Sequence, residues 1–243
     1  MSMNENKEKI GIVSGIGPLA GSDVLNRVFK NAALTYGTKE DEEYPDVILL
    51  SHGIPGVDNK GRLIDLFERD IISMVEQIEL QGATVIGIAC NTAHVYLPKI
   101  HVKEGTVLIN LIDVVSRVAA QNLNEKYLLL SSSASREQKI YHSYLDEHHV
   151  NYEEVSDTVQ FMLDEAIGMV MAYKLEQAGA ILDNVFLFAK EAGFNAVIAG
   201  CTELPIAIAH ATNTNGIRII DSNEELSKSL LFTYFEKSSK FIH

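Results

Sequence analysis

The chain has no tryptophan, two cysteines, five prolines, and 20 lysine and arginine residues against 33 aspartates and glutamates in 243 positions. Each shortage excludes a class of protein. Two cysteines do not make a disulfide framework; in a reducing compartment they are free thiols, and where they sit becomes the question. A formal net charge of -13 leaves no basic cluster to neutralise a phosphate backbone, which excludes nucleic acid as a partner. No apolar run approaches the roughly 20 residues that span a bilayer. The runs 47–50 and 84–89 have the length of strands. Positions 1–9 are polar and lead into the short apolar run 10–13, without the apolar core and cleavage site of a secretory leader. These features predict a cytoplasmic protein with no membrane partner.

With 47% hydrophobic and 22% charged residues, the composition is that of a folded α/β protein. Short apolar runs suited to buried parallel strands fall at 9–14, 46–51, 83–89, 106–109, 126–131, 150–154, 195–200 and 216–220. Between them, amphipathic segments at 18–33, 62–80, 114–122, 135–148, 158–174, 176–192 and 223–236 predict helices. This alternation is the pattern of an α/β fold with mostly parallel sheets. The two halves also answer each other. Gly82-Ala83-Thr84-Val85-Ile86-Gly87-Ile88-Ala89-Cys90 matches Gly193-Phe194-Asn195-Ala196-Val197-Ile198-Ala199-Gly200-Cys201, and the strands before and after keep nearly the same offset. A duplicated unit predicts two pseudo-symmetric lobes facing across a cleft. Residues 1–112 plus 216–243 are expected to form the N-terminal lobe and 113–215 the C-terminal lobe.

In each half the cysteine directly follows an apolar strand and precedes residues able to start a helix, Asn91-Thr92 and Thr202-Glu203. Each thiol is therefore expected at the carboxyl end of a strand, where α/β sheets bind ligands. A helix N-terminus there favours anions and lowers a thiol pKa. Backbone N–H groups with Asn91, Thr92 and Thr202 are candidates for holding a carboxylate. Two equivalent thiols across one cleft suit racemisation, in which one takes a proton from a weakly acidic carbon while the other delivers a proton to the opposite face. That chemistry calls for neither metal nor cofactor. Glu203, beside Cys201, is expected to favour the following helix electrostatically ahead of the other reading, in which it orients a neighbouring group. His94 lies close to the helical face of Cys90, with a structural role and a role near the thiol both open. The loop Gly15-Ile16-Gly17-Pro18-Leu19-Ala20 satisfies a loose dinucleotide fingerprint, but the next strand ends in Ser51-His52 without the acidic residue such a site needs. The loop is expected instead to turn tightly into a helix, with the Gly17 backbone lining the cleft.

Three segments, Gly15 to Ala20, Ala89-Cys90-Asn91-Thr92-Ala93-His94 and Ala199-Gly200-Cys201-Thr202-Glu203, resemble the signature motifs of the aspartate/glutamate racemase family, and the likeness runs from about 9 to 221. The resemblance implies a two-lobed α/β fold, cofactor-independent (PLP-independent) racemisation of an amino acid, Cys90 and Cys201 as the catalytic bases, and a homodimer. It also implies substrate contacts from Asn91, Thr92, Thr202 and the segment 132–135, with Ser133 and Ser135 the named candidates. Two departures concern the substrate. The arginine that aspartate racemases carry after an Ile-Pro pair is missing after Ile54-Pro55, leaving Lys60 or Arg62 as stand-ins. A second family lysine falls near Met171 or Ala172, with Lys174 only close by. Ser51, at the end of the second strand, is a candidate contact for the substrate side chain. The expected partner is a small carboxylate, with an amino acid foremost. Maleate isomerase-like or hydantoin racemase-like chemistry and a non-catalytic amino-acid-binding module are the alternatives, and a disulfide switch between the two cysteines ranks below them.

Overall fold

The computed structural model describes residues 8–56 and 63–239. Among the described residues, eight strands form two four-stranded, wholly parallel sheets of identical plan. In the first, β1 (Lys9–Ser14), β2 (Asp46–Ser51), β3 (Val85–Ile88) and β4 (Val107–Leu108) lie in the order β2-β1-β3-β4. In the second, β5 (Tyr127–Leu130), β6 (Tyr152–Glu154), β7 (Ala196–Ala199) and β8 (Arg218–Asp221) lie in the order β6-β5-β7-β8. The expected duplication is thus present strand for strand, and the α/β class is as expected. The central strands β3, β5 and β7 are buried on every residue, which is why they read as unbroken apolar runs.

The helices are α1 (Pro18–Tyr36), α2 (Asp65–Leu80), α3 (Leu111–Ala120), α4 (Ser133–Glu137), α5 (His142–Glu147), α6 (Asp157–Met171), α7 (Leu175–Glu191), α8 (Leu204–Ile208) and α9 (Ser222–Ser239). Helix α1 starts as its sequence dictates, with Pro18 in the first turn after Gly17 and a left-handed Gly37 closing it by donating its N–H to the Ala32 carbonyl. Serine caps do the same elsewhere. Ser156 Oγ accepts from the Val159 N–H at the start of α6, and Ser132 Oγ from the Ser135 N–H at the start of α4. Among the described residues no helix is long and apolar enough to cross a membrane.

Two expectations change. The single helix expected over 135–148 is broken into α4 and α5, with Lys139 between them in the left-handed region at φ 50°. The break turns Tyr141 inward, where it is fully buried. The lobe boundary also shifts. Strand β8, assigned to the N-terminal lobe from sequence, pairs with β7 from Ala196↔Arg218 to Ala199↔Asp221 and so completes the second sheet. Only α9 crosses back, packing on α1 and β3. Helix α3, the equivalent element of the first half, packs on α5, α9 and β8. Each half therefore lends its last helix to the contact between lobes. One buried cluster runs continuously through Ile10 and Ile12 of β1, Leu129 of β5, Ile198 of β7 and Leu226 and Leu230 of α9.

Candidate active site

The cysteines lie just past the carboxyl ends of β3 and β7, and both open onto one cavity of about 550 Å³. That volume suits a small metabolite. Of the residues singled out from sequence, Gly17, Asn91, Thr92, Ser133 and Thr202 line the same cavity. Two others do not. Ser135 is buried behind the wall, its hydroxyl hydrogen-bonded to that of Thr92 at 2.8 Å. Ser51 is exposed at the end of β2, outside the lining. Lys174 is likewise exposed, ahead of α7, and Lys60 and Arg62 lie outside the described residues.

Glycine shapes the entrance. Gly15 and Gly17 both have positive φ, 102° and 81°, and each meets a neighbour where a side chain would stand. A Cβ on Gly17 would fall 1.6 Å from Glu203 Oε1, and one on Gly15 2.1 Å from the His52 carbonyl oxygen. The loop is glycine-rich because the backbone conformation and the close approach of Glu203 and His52 demand it.

Electrostatically the site differs from expectation. The segments after the cysteines are not long helices. Thr92–Lys99 is a 3-10 run containing Pro98, and α8 has five residues. Neither supplies enough dipole to offset desolvation, and both thiols are pushed up, not down. Burial, then the nearby Glu203 carboxylate, raises Cys90 to about 12. Opposing this, the backbone N–H groups of Ala93 and Thr92 and the Thr92 hydroxyl point at its sulfur. Cys201 rises well above its ordinary value through burial and the same carboxylate. Its thiol donates to Glu203 Oε2 at 3.1 Å, and the Thr202 hydroxyl reaches the same oxygen at 3.3 Å. Glu203 is itself 6% exposed and raised by desolvation. At neutral pH both sulfurs are thiols, and one of them is already hydrogen-bonded to an acceptor for its proton.

A rigid frame surrounds the thiols. The buried Tyr141 hydroxyl donates to Asn91 Oδ1 at 2.5 Å, and the Asn91 amide reaches Ser222 Oγ at 3.4 Å. The ring of the same tyrosine packs against Gly200, immediately before Cys201. His94 settles on the structural side of its two readings. Leu111 N–H donates to its Nε2 at 3.2 Å, so the ring proton resides on Nδ1, which donates to the Cys90 carbonyl at 2.9 Å. Burial lowers its pKa, keeping it neutral. On the other side, Asn223 Nδ2 donates to the Thr202 carbonyl at 2.9 Å and to Asp23 at 2.7 Å. Asp23 in turn pairs with Arg27, which also holds Asp221 at 2.9 Å. Among the described residues no group of three or more His, Cys, Asp or Glu side chains is placed to hold a metal ion.

A family model described as Asp/Glu/Hydantoin racemase matches residues 13–230, which takes in both cysteine loops and every strand except the start of β1. The chain belongs to that family. It is an isomerase of the racemase type. The racemase is 25% identical over 232 residues to the broad specificity amino-acid racemase RacX of Bacillus subtilis, covering 95% of this chain and all of that one. Its fold matches the Picrophilus torridus aspartate racemase with a TM-score of 0.79 at 25% identity, over 93% of this chain and 94% of that one. It also matches the fold of the Thermus thermophilus glutamate racemase in complex with beta-chloro-D-alanine, with a TM-score of 0.66 at 17% identity, over 96% and 82% of the two chains.

Sequence reasoning misses two residues of this cavity and its surroundings and ranks the role of a third second. Glu203 reads first as a helix-end charge and second as a group that orients its neighbour, and it accepts a hydrogen bond from the Cys201 thiol. The adjacency of the two residues is visible in the sequence; the inward turn of the carboxylate against Gly17 is not. Tyr141 lies in what reads as the middle of a helix and carries no local signal. Asp164 lines the cavity from α6, accepting from the Ser133 N–H at 3.0 Å, the Ser133 hydroxyl and Gln160 Nε2 at 3.2 Å.

Proposed function

We propose that the protein is a cofactor-independent amino-acid racemase in which Cys90 and Cys201 exchange the roles of base and acid. The observation that carries this reading is the placement of two duplication-related thiols on one small cavity, with no other thiol in the chain. Asn91, Thr92, Thr202 and Ser133, with the backbone N–H groups beside Cys90, hold the substrate carboxylate and amine between the two loops. One cysteine, as thiolate, takes the α-proton from one face. The opposite thiol gives its proton to the other face of the resulting carbanion, leaving the enzyme with the two protonation states exchanged.

Both thiols are neutral, so a thiolate must be made on binding, the Cys201 proton passing to Glu203 Oε2. The α-ammonium of the substrate brings into the buried cavity the positive charge that the described lining lacks, and a nearby cation favours the charged form of a thiol. Glu203 accepts from the Cys201 thiol and thus positions that sulfur for proton loss. The homodimer belongs to the same reading. Phe29, Leu34 and Tyr36 of α1 and Phe232 of α9 are the exposed apolar side chains that support it, and sedimentation equilibrium tests it.

The test is chiral chromatography of a panel of L- and D-amino acids incubated with the purified protein and with Cys90→Ala and Cys201→Ala. Formation of the opposite enantiomer by the parent alone is expected, with a loss of at least about 1,000-fold in each variant, since each removes an acid–base group that acts in the transition state. Racemisation that survives either substitution contradicts the two-cysteine mechanism.

A further inference from the structure

The wall of the cavity says which amino acids enter it. Around the polar end, where Cys90, Cys201, Asn91, Thr92 and Thr202 converge, the remaining space is bounded by Ile16, Ile54, Phe67, Ile167 and Met171. Phe67 is 1% exposed and its ring packs edge-on to Tyr96, so this side of the wall is fixed. Among the described lining residues there is no lysine, arginine or histidine. The two formal charges there, Asp164 and Glu203, are both negative. Both are engaged by neighbouring donors. Asp164 is held at both oxygens by Ser133 and Gln160, and Glu203 at Oε2 by the Cys201 thiol and the Thr202 hydroxyl.

A substrate side chain that carries a second carboxylate would lose its hydration to an apolar wall and face two fixed negative groups, with no cation among the described lining residues opposite. A cationic side chain is drawn to the same two groups, but it too would lose its hydration to the apolar wall. An aliphatic or thioether side chain buries its surface against isoleucine, phenylalanine and methionine at no such cost.

We infer that this enzyme is selective for amino acids with uncharged, apolar side chains of about leucine or methionine size, with aspartate and glutamate disfavoured by the negative, apolar wall. The inference rests on the amino-acid racemase reading above. It departs from the dicarboxylic substrates named by the family.

The experiment measures kcat/KM for methionine, leucine, alanine, aspartate, glutamate and lysine by loss of the α-proton signal in D₂O, for the parent and for Met171→Lys. Met171 is 53% exposed at the rim, so the lysine places a cation on the cavity with little demand on folding. Methionine and leucine are expected to exceed aspartate, glutamate and lysine by at least about 100-fold, the upper range for discrimination by an apolar pocket. In Met171→Lys the gap between methionine and glutamate is expected to narrow about 10-fold. Aspartate, glutamate or lysine turned over as fast as methionine overturns the inference and leaves the racemase reading standing. An unchanged methionine-to-glutamate ratio in Met171→Lys also counts against it, because the wall charge would then not govern selection. Turnover of no amino acid at all overturns the racemase reading, and the inference with it.

Discussion

The thiol of Cys201 rests on a carboxylate, and that contact separates the two cysteines chemically although the fold makes them equivalent. Cys90 has N–H donors and the Thr92 hydroxyl around its sulfur, whereas Cys201 has a proton acceptor. Because both thiols are raised by burial and by Glu203, alkylation of the unliganded enzyme by iodoacetamide is expected to speed up about 10-fold per pH unit from 7 to 9. A plateau below pH 8 would contradict the raised values. Tyr141→Phe removes the donor to Asn91 Oδ1 and leaves a buried acceptor unpaired, a change worth about 1–3 kcal/mol. If the tyrosine positions Asn91 for the substrate, the effect falls on KM, raised about 10-fold, more than on kcat; equal loss in both, with a matching loss of thermal stability, would mark it as packing alone. At this scale the cysteines and their flanking Asn91, Thr92 and Thr202 are legible in the sequence because motif and duplication coincide. Ser51 and Ser135 are not, because position along a strand or loop does not tell which way a side chain turns. His94 is legible only as an alternative, and the donor from Leu111, 17 residues on, decides it.

The elements that carry the site are short and irregular where they meet the cavity and regular elsewhere. Strand positions can be read from sequence nearly to the residue, since β1 and β2 are apolar runs bounded by polar or glycine positions. Helix α1 is legible for the same reason, with proline at its start and glycine at its end. The break between α4 and α5 is hidden because Arg136-Glu137-Gln138-Lys139 is good helical sequence, and the bend is imposed by burying Tyr141 against Gly200. The loop ahead of α1 makes a sharp prediction. Gly17→Ala would place a methyl on Glu203 Oε1 and force a left-handed φ on alanine. It is expected to cost about 1–3 kcal/mol of stability and to lower kcat more than 10-fold by displacing Glu203 from the Cys201 thiol. Thermal unfolding and steady-state kinetics check both parts; a variant of parent-like kcat would show that the glutamate contact is dispensable.

Over the whole molecule, duplication supplies two matching sheets, and the exchange of α3 and α9 between halves locks them face to face. Helix α9 buries Leu226, Leu230, Leu231 and Tyr234, roughly 6–12 kcal/mol of apolar burial, which is as large as the stability of a typical domain. Truncation after Asp221 is therefore expected to abolish folding, seen as loss of the cooperative transition by circular dichroism; a folded truncated chain would refute the exchange as a stabilising device. The two-lobe plan and its strand order are implicit in the repeat, but the lobe boundary is not, because a sequence repeat marks where a unit ends and not which sheet its last strand and helix join. Stability also carries the signature of the buried thiols. Their folded-state pKa lies above the unfolded one, so the stabilisation is complete below about pH 9 and is lost as pH rises towards about 12 for Cys90. The melting temperature is expected to fall between about pH 8.5 and 10.5, and to fall less steeply in Cys90→Ser. The central claim is that protons arrive and leave on opposite faces. Its most direct test is racemisation of L-methionine in D₂O, followed to a few per cent conversion, with the deuterium content of each enantiomer measured by mass spectrometry after chiral separation. The account predicts a D-product almost fully deuterated at Cα beside recovered L-substrate that remains almost wholly protiated. A D-product retaining the original proton, or deuterium entering both enantiomers at equal rates from the first turnovers, would mean a single base and contradict the two-cysteine mechanism.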